Sequence, residues 1–181
     1  SWQDATGRTR TATLQLGDGD HLAHKAGILT VTDLRQKEVA SGGEGAPLAP
    51  YAERLLFTTS HPRLLLNLGG IANVSWLPAQ SEPGVPLAGD TGPANTLIDR
   101  LFRHHFPGQS HGYDRDGAMA AKGQVHAGLL SALRAHPYFE RPLPKSTGPE
   151  AFGQAYLDAA HTAAGAPVLP REDWLATVTR L

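Results

Sequence analysis

One stretch of this chain, residues 64–76, constrains its fold more than any other. It reads Leu-Leu-Leu-Asn-Leu-Gly-Gly-Ile-Ala-Asn-Val-Ser-Trp. An apolar run that stops at Gly69-Gly70 and then resumes predicts two strands joined by a tight turn. Because glycine has no Cβ, such a turn can bring backbone N–H groups up to a phosphate, although it can equally be a turn with no ligand. Asn67 and Asn73 flank it, either to bind the same ligand or to hydrogen-bond the turn's own backbone.

A second motif, Gly-Asp-Thr-Gly-Pro at residues 89–93, follows a Pro/Gly-rich connector at 78–86. Pro93 suits the first turn of a helix, so we expect Asp90 and Thr91 at a helix N-terminus. Either residue could cap the helix there. One cap is enough, so the Asp90 carboxylate is also a candidate for chemistry. There the helix dipole would keep it ionised, and it could accept a proton from water or a hydroxyl. Together with the glycine turn, this suggests phosphoryl transfer onto a neutral substrate.

Other polar patterns are weaker. Asn95 and Asp99 lie four residues apart on one helix face, which is either solvated or the wall of a pocket. The glycines of residues 42–45 fit neither a dinucleotide-binding fingerprint nor a P-loop, and residues 145–147 (Lys-Ser-Thr) imitate only the end of a P-loop. We therefore assign no function to these two segments. The nine histidines lack metal-ligand spacing, and no serine lies in a hydrolase elbow.

The bulk properties exclude several classes of protein. The chain has 181 residues, which fits one domain or one and a half. Its net charge of −1 argues against nucleic acid as a partner, and no apolar run approaches the length of a membrane span. The lack of cysteine fits a cytoplasmic protein. The missing start methionine and a helix-like C-terminus lead us to expect an internal piece of a longer protein.

The remaining patterns predict strands at 11–16 and 28–34, the second of them buried. They predict helices at 21–26, ending at Gly27, at about 47–59, from Pro93 to Phe106, and at about 117–135. A last helix is expected to begin at Pro149. Strands followed by helices indicate an α/β layered domain.

Residues 67–73 (Asn-Leu-Gly-Gly-Ile-Ala-Asn) and 90–95 (Asp-Thr-Gly-Pro-Ala-Asn) together resemble the anhydro-N-acetylmuramic acid kinase family. Further agreeing segments lie at 14–18, 33–35, 42–48, 113–117, 136–139 and 144–148. The resemblance implies part of a two-lobed actin-like sugar kinase fold, with mixed sheets flanked by helices. On this reading residues 1–60 end the first lobe and residues 61–181 form the second.

The resemblance also implies a reaction. Family members use ATP and Mg²⁺ to phosphorylate O6 of 1,6-anhydro-N-acetylmuramic acid while water opens the anhydro bridge, in cytoplasmic peptidoglycan recycling. The expected partners are therefore this small sugar and ATP, with no nucleic acid and no membrane. The residues that the resemblance assigns are Asp90 as the base, Gly69, Gly70 and Asn73 for the nucleotide, and Thr91, Asn95 and Arg35 for the sugar.

The sequence departs from the family pattern at Leu34, where phenylalanine is usual, and at Ala94, where glycine is frequent. The family's first phosphate loop would precede Ser1 and its adenosine-binding segment would follow Leu181, so we expect this chain alone to lack kinase activity. Two alternatives stay open: a non-catalytic sugar-binding or dimerisation module of the same fold, and a kinase for another anhydro sugar. The Mg²⁺ ligands and the oligomeric state also stay open, a homodimer being one expectation.

Overall fold

The computed structural model describes residues 2–3, 7, 9–10, 17–40 and 48–181. The chain divides into two compact units, Ser1–Leu56 and Phe57–Leu181. The strand predicted at 11–16 and the glycine-rich loop at 41–47 lie outside the described residues. No helix in the described ranges is long and apolar enough to cross a membrane.

The first unit contains short elements. Strands β1 (Trp2–Gln3) and β2 (Thr9–Arg10) pair antiparallel, and helices α1 (Gly19–Ala26), α2 (Leu34–Ala40) and α3 (Ala49–Phe57) follow, α3 ending on the first residue of the second unit. The predicted first helix is confirmed: the Asp18 side chain accepts from the His21 amide at 2.9 Å, and Gly27 ends the helix in the left-handed conformation at φ 66°.

The prediction of a buried strand at 28–34 is wrong. Residues 28–33 form neither a strand nor a helix, and α2 begins at Leu34. Leu29 and Val31 are 96% and 74% exposed. A β-branched run favours a strand only where neighbouring strands and a packed face are available, and the described residues supply neither here.

The second unit begins with a three-stranded antiparallel sheet, β3 (Arg63–Leu68), β4 (Ile71–Leu77) and β5 (Leu87–Pro93), in that order. β3 and β4 form the predicted hairpin, in which Asn67 is paired with Asn73. The hairpin prediction is therefore confirmed, as is the irregular connector at 78–86 between β4 and β5.

Four helices and three short 3₁₀ turns complete this unit. The helices are α4 (Asn95–His105), α5 (Ala127–Arg134), α6 (Gln154–Ala163) and α7 (Arg171–Thr179), and the turns are Arg115–Gly117, Ala120–Lys122 and Pro137–Glu140. The mixed α/β class is as predicted. Two helices are shorter than predicted: α5 begins at residue 127 rather than 117, and α6 begins at residue 154 rather than at Pro149.

Helix α5 begins later in the sequence than predicted because the residues before it pack against α7. Gly123 lies so close to the Glu172 backbone that a side chain on Gly123 would overlap it. The Thr177 hydroxyl accepts from the His126 amide at 2.9 Å and donates to the Asp173 carbonyl. These tertiary contacts hold residues 123–126 in a non-helical path, which the local sequence does not indicate.

The hydrophobic core lies among the helices of the second unit. Its fully buried members come from α4, α5, α6, α7 and the segment before α6, and they include Leu97, Phe102, Leu129, Leu133, Phe152, Leu157 and Leu175. By contrast, Leu64, Leu66 and Leu68 of β3 are each about 60% exposed (64%, 59% and 63%). The helical layer therefore supplies most of the fully buried side chains of this unit.

Replacing a core leucine should lower stability sharply. Leu157→Ala removes a side chain that is 1% exposed, and we expect a loss of about 2–5 kcal/mol in the free energy of unfolding. Val168→Ala is the control, because Val168 is fully exposed and its truncation should change the value by under about 0.5 kcal/mol. Urea unfolding of both variants checks this, and equal losses would contradict the packing described.

The pH dependence of stability should include a contribution from His105. Burial, followed by the neighbouring charges of His104 and Arg171, lowers the pKa of His105 below its usual 6.5. The unfolded chain then binds more protons at this site, so stability falls as pH drops from about 6.5 towards the lower folded pKa. Urea unfolding at several pH values should show this decline, and His105→Gln should reduce it. Ser131→Ala, at an exposed and non-titrating site on α5, should leave it unchanged.

Candidate functional site

Backbone carbonyls of the β3–β4 turn cap the N-terminus of α4. The Asn95 amide donates to the Gly69 carbonyl at 3.1 Å, and the Asn95 side chain donates through Nδ2 to the Leu68 carbonyl at 3.0 Å. The Gly70 carbonyl accepts from the Thr96 amide at 3.1 Å. The first N–H groups of the helix are thus satisfied by the turn, and no capping side chain is used.

The same bonds fix the direction of the turn's own amides. A peptide group is planar and trans, so its N–H points opposite to its C=O. Because the carbonyls of Leu68 and Gly69 point to α4, the N–H groups of Gly69 and Gly70 point away from it. Gly70 is exposed and has no room for a side chain, since a Cβ would lie 2.6 Å from the Thr96 hydroxyl oxygen. The turn therefore presents two adjacent backbone donors on its outer side.

The structure corrects the predicted location of Asp90 and Thr91. Both lie in β5, and Pro93 ends that strand instead of opening a helix. Pro93 suits a first helical turn, but α4 begins two residues later, where carbonyls of the β3–β4 turn cap it. Asp90 therefore does not lie at a helix N-terminus.

A bulge interrupts β5 at this point. Ala72 of β4 pairs with Gly92, and the next residue, Asn73, pairs with Asp90, so Thr91 is the extra residue. Bulges of this kind bend a strand and redirect its side chains, and they are frequent next to functional sites. Asn73 and Asp90 are brought together as cross-strand partners, which the sequence did not predict.

Asp90 is held from both its main chain and its side chain. Its Oδ2 accepts from the Ser146 hydroxyl at 3.1 Å and from the Thr147 amide at 2.8 Å. Its amide donates to the Lys145 carbonyl at 2.8 Å, and its carbonyl accepts from the Tyr138 hydroxyl at 2.9 Å. We call residues 145–147 the clamp segment. Two hydrogen bonds thus fix the Asp90 carboxylate, and two more fix the main chain that carries it.

Lys145 secures the clamp segment to the 3₁₀ turn at 137–140. Its Nζ donates to the carbonyls of Tyr138 and Phe139 at 3.0 and 3.2 Å and lies 4.6 Å from the centre of the Tyr138 ring. Burial and the negative charge of Asp90 raise the pKa of Tyr138, which keeps its hydroxyl a neutral donor. The lysine therefore orders the segment through the backbone of its neighbours.

The clamp segment is a functional element that the sequence did not predict, because residues 145–147 match only the end of a P-loop. The one indication in the sequence was that residues 144–148 resemble the family, but the resemblance assigned no function to these residues. Tyr138 gave no functional signal of its own.

Asn95 and Asp99 form the wall of a pocket, one of the two alternatives left open. A cavity of about 450 Å³ lies beside α4, lined by Asn95, Ile98, Asp99, Tyr113, Asp114, Gly117 and Thr179. Arg35 lies on α2 in the first unit. Within the described ranges, no group of three or more His, Asp or Glu side chains could hold a metal ion.

A glycine-turn hairpin, a carboxylate on the adjoining bulged strand and a covering layer of helices are what part of a sugar kinase fold provides. The family model described as anhydro-N-acetylmuramic acid kinase matches residues 2–181, and the chain belongs to this family. The resemblance found in the sequence is thereby confirmed.

Named relatives agree with the family model. The chain is 49% identical over 168 residues to the anhydro-N-acetylmuramic acid kinase of Pseudoalteromonas atlantica, covering 92% of this chain and 41% of the relative. It is 47% identical over 171 residues to the enzyme of that name from Streptomyces coelicolor, covering 93% and 42%. The chain therefore spans about two fifths of the length of these curated relatives.

Gly89 should be essential to the approach of the clamp segment. A Cβ on Gly89 would lie 2.6 Å from the Lys145 carbonyl oxygen and 2.9 Å from its amide nitrogen, so Gly89→Ala should force the backbones apart. We expect a loss of roughly 1–3 kcal/mol in unfolding free energy. Gly108→Ala is the control, because its Cβ would meet nothing within 4 Å. Thermal or urea unfolding measures both, and a neutral Gly89→Ala would contradict the contact.

Proposed function

We propose that this chain forms part of an ATP-dependent kinase that converts 1,6-anhydro-N-acetylmuramic acid to N-acetylmuramic acid 6-phosphate in cytoplasmic peptidoglycan recycling. Family membership supports the substrate class. The observation that carries the proposal is the fixed Asp90 carboxylate on a bulged strand, paired with Asn73 next to a turn with outward amides. Residues 1–60 and 61–181 are proposed to belong to the two lobes of an actin-like kinase.

The glycine turn is the proposed site for the nucleotide phosphates. The N–H groups of Gly69 and Gly70 point away from α4, and successive backbone donors of this kind bind anions. Asn73, on the adjoining strand, is proposed to complete this contact with its amide side chain. ATP and Mg²⁺ are the proposed cofactors, as the family resemblance implies, and we assign no Mg²⁺ ligand.

Asp90 is the proposed general base. Water attacks C1 of the sugar, and its proton passes to the Asp90 carboxylate as the new C1–O bond forms. The C1–O6 bond breaks, its electron pair stays on O6, and O6 takes the γ-phosphoryl group while ADP leaves. Atoms and charges balance without a separate acid, because the phosphoryl group takes the place of a proton on O6.

The sugar is proposed to contact three residues. Thr91, the extra residue of the bulge, adjoins the base, and Asn95 lines the cavity beside α4. Arg35 on α2 is proposed as a sugar contact from the resemblance alone. A homodimer is the proposed assembly.

Asp90→Asn should slow the reaction without abolishing nucleotide binding. In the product of the complete coding sequence, we expect turnover to fall roughly 10²–10⁴-fold, which is the usual contribution of a general base. ATP affinity should be unchanged, because the proposed phosphate donors lie on the hairpin turn. Asp20→Asn, at an exposed position on α1, is the control. The measurements are sugar-dependent ADP release and calorimetric titration of ATP.

Near-normal turnover of Asp90→Asn would remove Asp90 from the role of base. If the complete protein binds the sugar but never releases ADP, the non-catalytic sugar-binding module is the better account. ADP release with a different anhydro sugar alone would change the substrate and keep the mechanism. The 181-residue chain by itself is expected to release no ADP.

A further inference from the structure

The two oxygens of the Asp90 carboxylate have different surroundings. Oδ2 accepts from the Ser146 hydroxyl at 3.1 Å and from the Thr147 amide at 2.8 Å. No hydrogen bond from the part of the chain that the structure describes reaches Oδ1. The carboxylate is thus fixed through one oxygen, and the other can accept a proton.

The clamp segment can position a carboxylate because it is itself immobilised. The Lys145 carbonyl accepts from the Asp90 amide, and the Lys145 amino group is bonded to the carbonyls of Tyr138 and Phe139. Tyr138 is buried in the hydrophobic core. Ser146 therefore projects from a backbone that is tied to both the sheet and the core.

We propose that Ser146 is a positioning residue for Asp90, and that Oδ1 is the oxygen that receives the proton of the attacking water. This rests on the proposed function, in which Asp90 is the base. Ser146 acts through Asp90: its hydroxyl donates to Oδ2 and prevents rotation of the carboxylate about χ2. Positioning matters because a reacting group displaced by about 1 Å can cost up to about 100-fold in rate.

A purely structural role does not fit Ser146. Its side chain is exposed, and its hydroxyl donates a hydrogen bond to the Asp90 carboxylate. Removing the hydroxyl therefore creates no cavity and leaves no buried donor unpaired. The predicted effect is confined to the orientation of Asp90 and should appear in turnover.

The test compares Ser146→Ala, Ser146→Thr and the control Ser131→Ala, which changes an exposed serine on α5. With the product of the complete coding sequence, we expect Ser146→Ala to lower kcat about tenfold, as for the loss of one hydrogen bond to a charged group. Both KM values should be unchanged. Ser146→Thr, which keeps the hydroxyl, should restore most of the activity.

A double-mutant cycle then separates action through Asp90 from an independent effect. In the Asp90→Asn background the base is already lost, so adding Ser146→Ala should cause no further decrease in kcat. A further tenfold decrease in that background would overturn the proposal. Unchanged kcat in Ser146→Ala, or a loss in Ser146→Ala that appears only in KM, would also overturn it.

A measurement that does not depend on enzyme activity separates failure of the positioning role of Ser146 from failure of the proposed kinase function. The Thr147 amide is bonded to Oδ2, so Asp90→Ala should accelerate hydrogen exchange at Thr147 relative to wild type. Unchanged exchange would overturn the clamp itself. A wild-type protein without sugar-dependent ADP release would overturn the proposed function, whereas an active wild type with an equally active Ser146→Ala variant would overturn the positioning role alone.

Discussion

The rest of the site depends on the hydrogen bonds between the β3–β4 turn and the first residues of α4. The carbonyls of Gly69 and Gly70 accept from the first main-chain N–H groups of the helix, and the Leu68 carbonyl accepts from the Asn95 side chain. Since the helix needs no capping side chain, Asp90 remains in the strand, and the turn's amides face outward. These bonds thus fix the direction of the proposed anion-binding donors, whereas the clamp segment fixes the direction of the proposed base.

The second constraint is the close approach of the clamp segment to β5. This approach requires a glycine at position 89. The clamp segment then donates to Asp90 from the Thr147 amide and the Ser146 hydroxyl. The hydrophobic core of the second unit includes Tyr138, whose hydroxyl donates to the Asp90 carbonyl. The carboxylate is therefore positioned by backbone geometry and packing as well as by its own hydrogen bonds.

The sequence could predict those features that depend on neighbouring residues. The β3–β4 hairpin and α1 follow from local apolar patterns, glycine stops and an Asp cap, and all are found. The location of Asp90 was wrong because Pro93 alone suggested a helix start, whereas the true cap comes from residues 69–70. The clamp was missed because Ser146 and Thr147 are 56 and 57 residues from Asp90 in the chain, beyond any local pattern.

Gly70 and Gly89 are both crowded, but they differ in what surrounds them. A methyl group on Gly70 would meet the side chain of Thr96, whereas one on Gly89 would meet the backbone of Lys145. A smaller residue at position 96 can therefore compensate for a change at position 70, and the two positions should co-vary among related proteins. No side-chain change can move a backbone out of the way so simply, so position 89 should remain glycine whatever its neighbours become.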